Sequence, residues 1–220
     1  MPASRVFVVA LAAFVCVPAL AIEPGFALKF ENAGDTGGFF GGSSAGTLYT
    51  NPGTGGVDGE NDGFLRIENV NLGHFGGYTQ LPQFQGDWLS AGVSRLEISM
   101  KNFSGSNFHM HVCIGFSNQN MWQLNTVFAP GAEWETFVVD FENIVPSDWT
   151  RIRGSGTLLQ ALSDADRLLL RHDIFPYTPT PNPIIGVLGV DNIRIVAIPA
   201  PGGALAGVAL LGVAGLRRRR

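Results

Sequence analysis

Val93-Ser94-Arg95-Leu96-Glu97-Ile98-Ser99-Met100-Lys101 is the stretch that decides the fold class. Successive side chains of an extended chain point to opposite faces. Here Leu96, Ile98 and Met100 share one face, while Arg95, Glu97 and Ser99 share the other. That is the signature of a strand with one face in a core and one in water. Moving outward, the alternation returns in Phe108 to Phe116, where Phe108, Met110, Val112, Ile114 and Phe116 alternate with His109, His111, Cys113 and Gly115. It returns again in Thr136 to Phe141, with Phe137, Val139 and Phe141 facing inward. Further strands are predicted at Phe26 to Glu31, Phe64 to Val70, Met121 to Phe128, Arg167 to His172 and Ile185 to Ile198.

Thr157 to Ala165 is the one helix expected between the two ends, opened by Ser155 or Thr157 as a cap. Pro176, Pro179, Pro181 and Pro183 cannot lie in a central strand, so Phe175 to Pro183 reads as a loop before the last strand. Many strands, 29 glycines for turns and almost no helix indicate an all-β domain, a sandwich or a barrel. Of 14 basic residues, Arg5 and four terminal arginines fall outside the central region, which then holds 9 basic against all 18 acidic residues. A net −9 argues against nucleic acid, whose phosphates need basic partners, and suits a bound divalent cation. With only Cys16 and Cys113 present and Cys16 inside the leader, an internal disulfide is not expected.

The two ends read as addresses. Arg5, the apolar run Val6 to Val17 and the small residues Ala19 and Ala21 form a signal peptide over 1–21, cleaved after Ala21. The apolar run is shorter than the ~20 residues that cross a bilayer. At the other end Pro199-Ala200-Pro201 leads into the apolar, glycine-rich stretch Ala204 to Leu216 and then Arg217-Arg218-Arg219-Arg220. Over residues 199–220 this resembles a PEP-CTERM sorting segment, with Pro-Ala-Pro in place of the usual Pro-Glu-Pro. A terminal arginine cluster holds its end on the cytoplasmic side, so the short apolar helix can rest in the inner membrane as a transient transmembrane helix. The resemblance implies an exported protein, processed by an exosortase-type membrane protease and passed to the cell surface or extracellular matrix. A permanent tail anchor is the alternative, and both place the domain outside the cytoplasm.

Within 22–198, Leu28-Lys29-Phe30-Glu31-Asn32, Asp62-Gly63-Phe64-Leu65-Arg66-Ile67 and Gly189-Val190-Asp191-Asn192-Ile193-Arg194-Ile195 resemble the first, second and last strands of jelly-roll galactose-binding and carbohydrate-binding modules. The resemblance implies a jelly-roll β-sandwich of two antiparallel sheets. It also implies a structural calcium (Ca2+) tying the first strand to the last, through Glu31 and Asp191 with Asp58 from the acidic loop. Carboxylates and glycine-freed carbonyls can supply the six to eight oxygens calcium takes; solvated turn caps are the alternative. Asp58 to Gly63 also reads as the first half of an EF-hand loop, but Asn69 stands where its bidentate Glu belongs.

Sugar rings have apolar faces and a hydroxyl rim, so a glycan site needs aromatic platforms beside hydrogen-bonding groups. Tyr78, Trp88 and Trp149 lie in predicted loops and are the candidate platforms; lids over the core are the alternative. Trp122 and Trp134 read as packing. His109 and His111 share a strand face, where they line a groove or, with a third ligand, hold zinc or copper. Glu97 and Asp140, expected on the same face as these histidines, offer a carboxylate pair of glycosidase type, on which the alternative reading of a glycan-active enzyme on the same scaffold rests. No H-E-x-x-H or phosphate loop is present, and the expectation is a polysaccharide-binding or structural surface protein rather than an enzyme.

Overall fold

A computed structural model describes residues 22–41 and 46–198. The signal peptide 1–21, with Cys16, and the sorting segment 199–220, with Pro199, Pro201 and Arg217 to Arg220, lie outside the described residues. Among the described residues no helix is long and apolar enough to cross a membrane.

The described residues form eleven strands in two antiparallel sheets. They are β1 (Ala27–Leu28), β2 (Thr47–Thr50), β3 (Leu65–His74), β4 (Gly76–Thr79), β5 (Val93–Asn102), β6 (Met110–Phe116), β7 (Asn120–Leu124), β8 (Glu135–Asp140), β9 (Trp149–Gly154), β10 (Arg167–His172) and β11 (Pro183–Ala197). The six-stranded sheet runs β2-β3-β11-β5-β8, with β1 pairing the far end of β11, and the five-stranded sheet runs β4-β10-β6-β7-β9. The three segments that suggested a jelly roll meet in one sheet: Leu28 pairs with Ile193, and Val190 with Leu65.

The alternation predicted for β5, β6 and β10 is what closes the sandwich. Leu96, Ile98 and Met100 from one sheet face Met110, Val112, Ile114, Leu168 and Leu170 from the other, all at most 1% exposed. Each fully buried side chain of this size stabilises the fold by roughly 1.5–3 kcal/mol before entropy is counted. The helix α1 (Leu158–Ser163) starts at Thr157, whose hydroxyl accepts from the Gln160 N–H while Gln160 Oε1 accepts from the Thr157 N–H. This reciprocal cap is what lets so short a helix form.

β2, β4 and β9 are not expected from the sequence, and β1 and β3 have other bounds than expected. β1 stops at Leu28 because Phe30 turns into the left-handed region at φ 57°, its ring buried in the core. β3 runs to His74, and after the buried Phe75 the chain switches sheets into β4. Gly76 sits at that switch with φ 142°, where any side chain would drive into the Leu170 carbonyl. Tyr78 therefore belongs to a strand, not a loop.

Candidate functional site

The inner faces of both sheets are filled, so the chemistry must lie on the outer faces. On the five-stranded sheet, residues alternating with the core set are Arg167, Leu169 and Arg171 of β10, His111 and Cys113 of β6, Met121 and Gln123 of β7, and Tyr78 of β4. By alternation Ile152 of β9 joins this face while Trp149 points to the core, and a bulge between Met121 and Trp122 pairs Arg153 with the outward-facing Met121.

The segment 173–182 folds back over half of the face. Asp173 and Arg171 form a buried ion pair, Arg171 also donates to the Thr178 carbonyl at 2.6 Å, and Asp173 Oδ1 accepts from the Ile174 and Asn182 N–H groups at 3.1 and 3.2 Å. Tyr177 lies edge-on to His111 at 4.9 Å and packs on the outer apolar cluster of Cys113, Met121 and Ile152, with Leu169 beside it.

Beside this cover lies a cleft of about 410 Å³. Its floor is Met121, Ile152 and Leu169, and its walls carry Tyr78, Arg153, Arg167 and the Pro179 to Pro181 rim. Arg167 holds its guanidinium carbon 4.2 Å from the Tyr78 ring centroid and donates to Ser117 Oγ at 2.7 Å, with Asp166 Oδ1 3.3 Å from Nε. Arg153 donates to Asn118 Oδ1 at 2.7 Å and to the Pro179 carbonyl at 3.3 Å. Guanidinium groups held in place above an aliphatic floor can bond hydroxyl, carboxylate or sulfate oxygens while the floor meets the apolar face of a ring.

Of the predicted ligand-binding residues, Tyr78 alone stands on this cleft. Trp88 is 1% exposed, donates Nε1–H to the Phe84 carbonyl and packs on Phe141 at 5.3 Å, so the expectation of a loop platform is corrected to a core residue. Trp149 is likewise corrected: it is 5% exposed and lies against Phe141 in the core. Trp122 packs against the core, and Trp134 lies edge-on to Phe64 and Phe103, as the packing reading of both requires. His111 is fully buried between the Leu124 and Asp173 carbonyls, and burial lowers its pKa; a neutral ring there can donate to only one of them. His109 lies at the margin of the covered half, its N–H donating to His172 Nδ1. Burial and the neighbouring His109 hold His172 down at about 4.

Glu97 and Asp140 lie on the outer face of the six-stranded sheet, on the opposite side of the sandwich from His111, which corrects the expectation that all face one way. Glu97 is engaged by Arg95 at 2.7 Å, and Asp140 caps the turn through the Glu142 N–H.

The acidic end holds a different arrangement. Asp191 is fully buried, with its oxygens accepting the Val57 and Asn192 N–H groups at 2.9 and 2.7 Å, and the Asp62 carboxyl lies beside it. Burial first and the Asp62 carboxyl second push Asp191 up to about 7, against the two backbone N–H groups that pull it down. Asp62 Oδ2 accepts the Asp58 N–H, and a Cβ on Gly56 would collide with both carboxylates and the Gly63 carbonyl. Asp58 points outward to Lys29 at 3.3 Å, and Glu31 is exposed beside Asp58 and Asp62. Among the described residues no three His, Cys, Asp or Glu side chains gather as a metal-ligating group.

Sequence reasoning passed over Arg153, Arg167 and Arg171. The signal was present in Arg167-Leu168-Leu169-Leu170-Arg171, where two arginines four apart on a strand share a face.

No protein-family model matches the chain, and no curated protein is found similar to it. Solved structures are similar to it in fold. The family 11 carbohydrate-binding module of a cellulosomal cellulase of Clostridium thermocellum superposes with a TM-score of 0.52 at 15% identity, over 80% of this chain and 97% of the module. An exo-β-agarase superposes with a TM-score of 0.56 at 14% identity, over 81% of this chain and 26% of the agarase. At such identity the likeness is one of architecture, and the architecture is a jelly-roll β-sandwich.

Proposed function

We propose that this chain is an exported surface protein whose β-sandwich binds carbohydrate on the outer face of the five-stranded sheet. The observation that carries the reading is the cleft beside the 173–182 segment, where an apolar floor is framed by fixed hydrogen-bond donors, the combination a sugar ring needs. Its support in architecture is the likeness to a carbohydrate-binding module over nearly the whole of that module. A glycan array probed with the purified full chain tests it. Signal that is lost in Tyr78→Ala with the melting curve kept near wild type supports the site; an array without signal removes the reading.

The export address belongs to the same proposal: secretion through the 1–21 signal, then sorting of the 199–220 segment by an exosortase-type protease. Mass spectrometry of the surface fraction tests it. Expected is a chain starting at Ile22 and ending near Pro199 to Pro201; replacement of Arg217 to Arg220 by Ala should leave the tail unprocessed.

A structural calcium is proposed at the acidic end on Asp62, Asp191 and the Gly63 carbonyl, with the expected Glu31 and Asp58 bordering the exposed side of that end. The donor set fits a hard cation, since two carboxylates and the Gly63 carbonyl crowd around Gly56 and all are oxygens. When bound, the ion would neutralise the Asp62 and Asp191 pair and clamp the 57–62 loop to β11.

A further inference from the structure

The 22–198 region carries twice as many acidic as basic residues, yet its charge is not evenly spread. Arg153, Arg167, Arg171 and His74 all line the one cleft, and not one Asp or Glu does. A cleft of one sign in a protein of the other focuses the local field on whatever enters it.

The three arginines differ in how they are matched. Arg171 is spent on Asp173, although its buried Nε has no hydrogen-bond partner among the described residues. Arg167 has Asp166 at its Nε edge and presents its other nitrogens to Ser117 and the cleft. Arg153 is exposed, bonds only neutral oxygens at Asn118 and Pro179, and forms no ion pair among the described residues.

The aromatic residue points the same way. A neutral glycan is gripped chiefly by stacking on an open ring face. Tyr78 has Arg167 over its ring at 4.2 Å and Phe40 against it at 4.4 Å. The ring serves to hold a guanidinium rather than to receive a sugar.

We infer that the cleft takes an anionic polysaccharide, carboxylated or sulfated, with Arg153 and Arg167 bonding its acid groups and Met121, Ile152 and Leu169 meeting its ring faces. The inference rests on the carbohydrate reading above and names its ligand class. Planar guanidinium groups suit both carboxylate and sulfate oxygens. A nucleic acid fits less well, because a long phosphate backbone leaving so small a cleft would run over a surface of net negative charge.

Affinity electrophoresis of the full chain tests this, with polygalacturonate against its methyl ester and dextran sulfate against dextran, and with duplex DNA as a further polyanion. Expected is retardation by one or both acidic polymers and not by their neutral counterparts, the two pairs telling carboxylate from sulfate. Retardation should weaken between about 0.05 and 0.5 M salt as screening shortens the field. Arg153→Gln, an exposed change that leaves the melting curve in place, should weaken it about tenfold, and Arg153→Glu more. Equal retention by the neutral polymers overturns the inference and leaves carbohydrate binding standing. Equal retention by DNA, lost in Arg153→Gln, overturns it in favour of indiscriminate polyanion attraction. No retention by any polysaccharide overturns both readings.

Discussion

The ion pair between Arg171 and Asp173, with side chains 3% and 1% exposed, ties the 173–182 segment to the outer face of the five-stranded sheet. From this one pair, bonds run to Ile174, Thr178 and Asn182, the beginning, middle and end of the segment. A buried pair is weak evidence for stability in itself, but losing one partner leaves a charge stranded. Asp173→Ala should therefore cost about 3–5 kcal/mol in a urea melt. The double change Arg171→Met with Asp173→Leu should cost less than Asp173→Ala alone. An Asp173→Ala midpoint indistinguishable from wild type would show that the pair does not staple the segment.

Asp62 and Asp191 make a second prediction, this time with pH. Asp191 sits at about 7 in the fold against a reference of 3.8. The folded chain thus binds this proton more tightly than the unfolded one. Its destabilising contribution is fully present above pH 7 and fades as the pH falls toward the reference value. In chelator at pH 8, Asp62→Asn removes the neighbouring charge and keeps an oxygen for the Asp58 N–H, so the variant should gain about 1 kcal/mol over wild type, with the gain gone near pH 4. Added calcium should raise the wild-type melting temperature at pH 8 and raise that of Asp62→Asn less. A wild-type curve that calcium does not move removes the cation from the proposal.

Trp88 gives the sharpest separation between platform and core. Because it is 1% exposed and wedged against Phe141, Trp88→Ala should cost about 3–5 kcal/mol of stability. At a temperature where the variant remains folded, its retention by any bound glycan should equal that of wild type. Lost retention with an unchanged melt would return Trp88 to the ligand site.

The strands that were legible in the sequence are those whose alternation the sandwich uses directly. β5, β8 and β10 fall within a residue or so of expectation because each has one face in the core and one outside. β4 was hidden because Gly76 and Gly77 carry no side chain to alternate, and Tyr49 packs where a side chain on Gly77 would stand. β9 was hidden because its two large apolar residues, Trp149 and Ile152, stand three apart and so on opposite faces, which leaves neither face a run of apolar residues to read. The site was less legible than the fold. Tyr78 could be named from its type, but Arg153 and Arg167 line one cleft only because β9 and β10 lie in the same sheet with β6 and β7 between them, an arrangement that no local pattern encodes.

Cys113 offers a probe for the covered half of that face. It is fully buried, its thiol donates to Gln123 Oε1 at 3.7 Å, and burial pushes its pKa to about 12. The thiolate is the reactive species, so a disulfide reagent at pH 8 should react only when the site opens. Two openings are possible: unfolding of the whole sandwich, or lifting of the 173–182 segment with Tyr177, which covers the cluster that includes Cys113. Local opening of a segment costs less than global unfolding where few apolar contacts hold it. In Asp173→Ala the labelling rate should then rise at least tenfold without denaturant, and it should change little with urea at low concentration, because lifting a short segment exposes little surface. A rate that follows the global unfolding equilibrium from the first addition of urea would mean that the segment and the sandwich open as one unit.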